Sequence, residues 1–269
     1  MPLGRVVAGL DIGTTKITTI IAEVDENENV SVIGVGHTPS RGIERGIVVH
    51  LEETVQSIVR SVDEAQHMAG IQIKSVYAGI AGEHIRGINS HAAVAVGRTS
   101  NEITEDDVNR VIEHAQTISI PQDLTIIHVI PQEFVVDNHE HVQHPVGLAG
   151  SRLEGEVHIV TGAATSVQNV HRAVERAGLQ VEDIVLQPLA SSMAVLSPDE
   201  QELGVVMLDV GGGTTDIAIF YRKSIRHTAV VGLGGSNVTS DIASVLRTPM
   251  SEAEMLKRKH GCALLDLVP

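Results

Sequence analysis

A chain of 269 residues, 42% of them apolar, has material for one large domain or two, each with a full core. Its 34 acidic against 19 basic side chains give a net charge of −15, which repels nucleic acid and anionic lipid and excludes both as main partners unless a local basic segment is present. Two phenylalanines, two tyrosines and no tryptophan leave Val, Ile, Leu and Ala to build the core, as suits a parallel α/β sheet, while the single Cys262 excludes an internal disulfide and fits a reducing cytoplasm.

Before Asp11 the only apolar stretch is Val6 to Leu10, and nowhere do about eighteen apolar residues run together, so neither a signal peptide nor a membrane-spanning helix is expected. Arg5 to Leu10 reads as a buried strand ending at Asp11. The turn Asp11-Ile12-Gly13-Thr14-Thr15-Lys16 follows, and Ile17 to Val24 leaves it at once, so the motif is the tip of a β-hairpin. Val30 to Gly36 supplies a third strand. Leu51, Val55, Ile58, Val59, Val62 and Ala65 then fall at helical spacing, with Gly70 as the stop, and Ser75 to Ile80 reads as a buried strand.

From Glu83 to Gly155 the pattern changes to polar, histidine-bearing strands and one helix. That helix is marked by Thr104-Glu105-Asp106-Asp107 as its cap and by Val108, Val111, Ile112 and Ala115 on one face. This stretch predicts an inserted subdomain. Within it, His139, His141 and His144 lie in a polar stretch with no cysteine nearby, which favours a solvated loop over a zinc site. Strand, helix and strand return with Val157 to Val160, with Val167, Val170, Val174 and Ala177 before Gly178, and with Val181 to Leu186.

After a polar linker at Pro198-Asp199, Gly204 to Leu208 forms another apolar run ending at an aspartate. Asp209-Val210-Gly211-Gly212-Gly213-Thr214-Thr215-Asp216 then repeats the first turn, and Ile217 to Phe220 leaves it as a strand. Ser224 to Val231 and a helix from about Ser236 to Leu246 complete the repeat. Thr248-Pro249 breaks the chain, and Ser251-Glu252-Ala253-Glu254 predicts a capping box for a last helix ending at Gly261.

Two glycine-threonine hairpins, each following a strand that ends in a carboxylate, predict a clamp on a magnesium nucleotide. Glycine lets the backbone approach a ligand closely, and successive N–H groups in a turn bind anions. A carboxylate repels bare phosphate but holds Mg2+, whose water shell and open positions bridge polyphosphate oxygens. Asp11 and Asp209 are the expected organisers of the metal, since a strand-end carboxylate that is buried needs a cation. Asp216 is either a third outer-sphere group or a strand-edge cap, and Lys16 is either a ligand of phosphate oxygens or a solvated strand lysine.

The duplicated hairpins resemble those of the actin, sugar-kinase and heat-shock-chaperone ATPase superfamily. Four further stretches resemble the FtsA family of bacterial cell-division proteins over essentially the whole chain. They are Gly79-Ile80-Ala81-Gly82-Glu83-His84-Ile85, Gln187-Pro188-Leu189-Ala190-Ser191-Ser192, Gly232-Leu233-Gly234-Gly235-Ser236-Asn237-Val238-Thr239 and the run from Ala253 to Gly261. The resemblance implies an α/β, actin-like and ribonuclease-H-like ATPase fold with an inserted α+β subdomain and an incomplete second half. The implied division is 1–82 with 156–197 as the first half, 83–155 as the insertion, 198–248 as a partial second half and 249–269 as the start of an incomplete subdomain.

The resemblance also implies ATP and Mg2+ as ligands. Gly13, Thr14, Thr15 and Lys16 on one side, and Gly211, Gly212, Gly213, Thr214 and Thr215 on the other, would hold the phosphates. Gln187 would orient a water toward the terminal phosphate, its other reading being an amide that caps the sheet. A glutamine cannot deprotonate that water, so hydrolysis is expected to be slow at most and the nucleotide to act as a switch. Gly234, Gly235, Ser236 and Asn237 would lie beside phosphates and ribose, with free N–H groups at a helix start. Glu254 and Lys257 would hold ribose and adenine, although Glu254 also suits the capping box.

By the same resemblance the partners are FtsZ, later division proteins and further copies in a filament, at the inner face of the cytoplasmic membrane at midcell. The family's anchoring C-terminal helix, its second glycine loop and much of its FtsZ-binding subdomain have no counterpart here, so poor nucleotide binding, if any, and no independent membrane attachment are expected. Two other readings stand beside this one. A sugar-kinase-like phosphotransferase would need a further acidic group at a strand end of the first half, which is missing; a pilus-assembly actin-like adaptor would share the fold.

Overall fold

β1 (Arg5–Ile12), β2 (Lys16–Val24) and β3 (Val30–Pro39) form an antiparallel meander, as their apolar runs and short turns dictate. The structure, a computed structural model, describes residues 4–97, 101–264 and 266; the end of the 249–269 segment, up to Pro269, lies outside them. A tight hairpin of β4 (Ile43–Glu44) and β5 (Ile47–Val48) leads into α1 (Leu51–Ala69), whose C-terminus turns at Gly70 in the left-handed conformation. Val55, Ile58, Val62 and Ala65 of α1 are buried against the sheet. Gly36 permits that approach, because a Cβ there would lie 1.7 Å from the Ser61 carbonyl oxygen. β6 (Ser75–Ile80) runs parallel to β1, and a later strand completes the sheet.

The next sheet is antiparallel and contains β7 (Arg86–Ala95), β8 (Leu124–Val136), β9 (His139–Val142) and β10 (Arg152–Ala163) in the order β7-β10-β8-β9. The strand expected at Val157 to Val160 is the middle of β10 and pairs within this sheet. α2 (Glu105–Gln116) covers one face. It begins with the expected box, in which the Asp107 N–H donates to Thr104 Oγ1 and the Thr104 N–H donates to Asp107 Oδ2.

α3 (Ala164–Arg176) leads to β11 (Gln180–Leu186), which lies parallel to β6 and gives the first sheet its order β11-β6-β1-β2-β3. α4 (Gln187–Val195) follows directly. The sequence reading ended a strand here and missed this helix, because small and apolar residues on all its sides leave no stripe to read; Pro188 sits in the first turn, where proline costs no hydrogen bond. The expected linker at Pro198-Asp199 is α5 (Pro198–Leu203), one capped turn and more, with Ser197 and Glu200 exchanging hydrogen bonds.

β12 (Val205–Val210), β13 (Thr215–Tyr221) and β14 (Ser224–Val231) form a second antiparallel meander, followed by α6 (Gly235–Leu246) and α7 (Met250–His260). α7 begins before Ser251, so the expected Ser251–Glu254 capping box does not form and Glu254 is free to bond elsewhere.

The second face of the insertion sheet meets β14 through a buried polar seam. The His158 ring lies between Asn89 Oδ1, at 2.6 Å from Nδ1, and the Thr228 hydroxyl, at 2.9 Å from Nε2. Nδ1 therefore carries the hydrogen and Nε2 accepts. Gln132 Nε2 donates to the Ile225 carbonyl at 2.6 Å, and Arg226 pairs with Glu133 at 3.1 Å.

Candidate functional site

The two hairpins have the same local geometry. In the first, Asp11 pairs across the ladder with Thr18, and the Gly13 N–H closes the turn on the Lys16 carbonyl at 3.0 Å. In the second, Asp209 pairs with Asp216, and the Gly211 N–H closes on the Thr214 carbonyl at 2.9 Å. Asp11 thus corresponds to Asp209, Gly13 to Gly211, Lys16 to Thr214 and Thr18 to Asp216. The double threonines, which look like matching pairs in the sequence, occupy different places: Thr14 and Thr15 stand where Gly212 and Gly213 stand in the second hairpin.

That offset lets the tips pack on each other. A Cβ on Gly212 would lie 2.2 Å from Thr15 Cγ2, and one on Gly213 would lie 3.1 Å from Thr14 Cγ2. The turn between β4 and β5 joins them, with the Gly46 N–H donating to Thr14 Oγ1 at 3.1 Å. Between the hairpins lies a cleft of about 480 Å³. Asp11, Gly13, Thr14, Thr15, Lys16, Gln187, Asp209, Gly211, Gly212 and Thr214 line it, together with Ser191 and Asp216.

Each strand-end carboxylate is held from α4. Gln187 Nε2 donates to Asp11 Oδ1 at 2.7 Å, and Ser191 Oγ donates to Asp209 Oδ2 at 2.7 Å. Burial pushes the Asp11 carboxyl above the ordinary range, with Lys16 opposing that shift and Asp209 adding to it. Burial likewise pushes Asp216 up to about 6, against the Thr214 hydroxyl and with help from Asp209. Asp216 Oδ2 accepts from Thr214 Oγ1 at 3.2 Å, but its Oδ1 is buried without a partner.

A buried, half-bonded carboxylate next to Asp209, which in turn acts on Asp11, suits a cation. Among the described residues no three His, Cys, Asp or Glu side chains converge closely enough to ligate one directly. The arrangement fits a hydrated Mg2+, which keeps several waters and uses one or two carboxylates plus phosphate oxygens.

The other expected site residues lie outside the cleft. Gly213 packs against Thr14 and the Arg45 backbone, and the Thr215 hydroxyl donates to the Leu233 carbonyl at 2.8 Å. The N–H groups expected to be free at the start of α6 are engaged: Gly235 donates to the Gly211 carbonyl at 2.9 Å and Ser236 to the Gly212 carbonyl at 2.8 Å. Asn237 Oδ1 accepts from the Gly234 N–H at 2.9 Å. Gly234, Gly235, Ser236 and Asn237 thus buttress the second hairpin from behind, and Gly234 is needed because a Cβ would meet two carbonyl oxygens at 2.6 Å.

Glu254 and Lys257 share a face of α7, as their spacing predicts, but they brace α7 to α6. Lys257 Nζ donates to the Gly235 carbonyl at 2.9 Å, to Thr239 Oγ1 at 2.9 Å and to Glu254 at 2.7 Å. Bonds from Lys257, Thr239 and Arg258 hold the Glu254 carboxyl down at about 2. In the histidine stretch, His141 Nδ1 lies 2.8 Å from Glu133.

Sequence reasoning missed Ser191. Its signal was present: Gln187 and Ser191 stand four apart on either side of Pro188, which can open a helix, and that spacing puts both on one face.

Two family models match the chain, "SHS2 domain inserted in FTSA" over residues 82–161 and "Cell division protein FtsA" over residues 206–269. The chain is similar to the cell division protein FtsA of Pseudomonas aeruginosa, 49% identical over 264 residues that cover 98% of this chain and 63% of that one. It is also similar to that of Neisseria meningitidis, 44% identical over 262 residues that cover 97% of this chain and 63% of that one. The chain therefore spans somewhat less than two thirds of the length of these relatives. Among solved structures it resembles a chain of the PilM-PilN type IV pilus biogenesis complex, with a TM-score of 0.68, 18% identity and coverage of 95% of this chain and 70% of that one. The fold is actin-like, as the duplicated hairpins lead one to expect.

Proposed function

Because the chain belongs to the FtsA family of cell-division proteins, we propose that it binds a magnesium-bound adenosine nucleotide between its two hairpins and serves division through that nucleotide state. The observation that carries this reading is the pair of equivalent strand-end carboxylates, Asp11 and Asp209, each held by α4, with the buried, half-bonded Asp216 across the ladder from Asp209. Bound there, Mg2+ would neutralise the polyphosphate against the carboxylates. Gly13 and Gly211, whose N–H groups close the turns, would let the backbone approach the phosphates, and donors at Thr14, Thr15 and Gly212 would take phosphate oxygens beside Thr214, with Lys16 supplying a charge. Gln187, its amide oriented by Asp11, would direct a water through its free oxygen without deprotonating it, which supports slow turnover and a switching role. Glu254 and Lys257 serve this reading as the brace of the second hairpin's support.

Family membership supports FtsZ, later division proteins and further copies of the chain as partners, and the cytoplasmic face of the membrane at midcell as the place of action. A phosphotransferase reading is not favoured by relatives at 44 to 49% identity that are division proteins. The likeness to the pilus complex, at 18% identity, speaks for the fold alone. Titration with a fluorescent ATP analogue, with Mg2+ and then with EDTA, tests the proposal. Saturable binding that EDTA abolishes supports it. Absence of binding, or formation of sugar phosphate from Mg-ATP and mixed sugars, overturns it.

A further inference from the structure

α4 carries two adjacent serines with different duties. Ser192 is buried and spends its hydroxyl on the Leu189 carbonyl at 2.6 Å, a bond within its own helix. Ser191 faces the cleft, and its hydroxyl goes to Asp209 Oδ2 at 2.7 Å, so Asp209 Oδ1 is left for other partners. One helical turn earlier, Gln187 makes the matching bond to Asp11. α4 packs against β6 and β11 of one sheet and against β12 and β13 of the other, so a single rigid element reaches one carboxylate from each hairpin. A carboxylate held by one oxygen keeps a fixed rotamer, and its second oxygen then points in a fixed direction.

We propose that Ser191 is a positioning residue for the cation: its hydroxyl sets the Asp209 carboxylate so that the free oxygen meets the water shell of a nucleotide-bound Mg2+. The inference rests on the nucleotide reading above. Ser191 does not touch the nucleotide; it acts through Asp209. With Ser191 gone, Asp209 rotates among rotamers, and the cost falls on the metal and not on ATP as such. Threonine keeps the hydroxyl and retains the function.

The test compares this chain with its Ser191→Ala and Ser191→Thr variants by calorimetric titration with ATP at stepped Mg2+ concentrations and in EDTA. Electron paramagnetic resonance of Mn2+ in place of Mg2+ reads the metal directly. Loss of one hydrogen bond to a charged group predicts that Ser191→Ala needs roughly tenfold more Mg2+ or Mn2+ for half-saturation, with ATP affinity at saturating Mg2+ close to that of the parent and Ser191→Thr close to the parent throughout. If the parent depends on Mg2+ and Ser191→Ala shows the same half-saturation, the role of Ser191 is overturned and the nucleotide reading stands. A loss of ATP affinity that saturating Mg2+ does not restore also overturns it, as the mark of a structural defect. If the parent shows no dependence on Mg2+, the nucleotide reading fails and this inference fails with it.

Discussion

Asp216 stands directly across the β12–β13 ladder from Asp209, at the position that Thr18 holds opposite Asp11 in the first hairpin. The two halves are therefore equivalent in backbone and unequal in charge: the second hairpin carries a pair of carboxylates where the first carries one. A carboxyl raised from 3.8 to about 6 binds more protons folded than unfolded, so its contribution to stability is complete below pH 3.8 and is lost as pH rises through about 6. Without nucleotide, Asp216→Asn should accordingly be more stable than the parent above pH 6, by on the order of 3 kcal/mol. Saturating Mg-ATP should narrow that gap, as chemical unfolding with and without the ligand would show. Equal stability of variant and parent at pH 7 would count against a strained carboxylate at this position.

The contact between hairpin tips predicts a steric epistasis. Gly212→Ala places a methyl 2.2 Å from Thr15 Cγ2 and should push the hairpins apart, weakening nucleotide binding and costing about 1–3 kcal/mol of stability. Thr15→Ser removes the clashing methyl. The double variant should recover much of both losses in thermal unfolding and nucleotide titration, and simple additivity would show that the tips do not meet.

Gly36 on β3 should tolerate no side chain. Gly36→Ala drives a Cβ into the Ser61 carbonyl of α1, at 1.7 Å, and backbone must move to relieve it. A loss of about 3 kcal/mol is expected from denaturant unfolding.

The seam between the insertion sheet and β14 predicts an acid sensitivity of opposite sign to that of Asp216. Burial, with His227 adding, pulls His158 from 6.5 down to about 4, so the unfolded chain takes up the proton first. Stability from His158 is complete above pH 6.5 and falls as pH drops toward 4, by on the order of 3 kcal/mol. Comparing the parent with His158→Gln across pH 4 to 7 isolates this residue from Asp216. The parent should lose stability relative to the variant as pH falls, and parallel curves would contradict the buried neutral ring.

Much of the fold was legible because local chemistry and tertiary structure agree. The hairpins announce themselves through apolar runs that stop at Asp11 and Asp209 and through glycines at the turns, and α2 through its Thr104–Asp107 cap. α4 was not legible, since Leu189, Ala190, Met193 and Ala194 give no polar face to set against an apolar one. The start of α7 was misread because Ser251 and Glu254 have capping-box spacing, while Lys257, one turn on, and Thr239 of α6, a partner no local pattern shows, claim the Glu254 carboxylate. The donors at the start of α6 were misjudged for a similar reason: the carbonyls that satisfy them belong to Gly211 and Gly212, a separate segment folded back against the helix. The shared face of Ser191 and Gln187 was readable from their spacing, whereas the Asp209 partner of Ser191 comes from long-range placement.

The central claim is that Asp11 and Asp209, brought together by α4, hold a magnesium nucleotide. Isothermal titration of the parent chain and of the Asp11→Asn and Asp209→Asn variants with ATP, in Mg2+ and in EDTA, tests it most directly. The account predicts one site per chain, binding that requires Mg2+, and at least a tenfold loss in each variant, as expected when a charged partner is removed from a buried cation. Binding that ignores both Mg2+ and the two substitutions, or no binding to the parent at all, would contradict it.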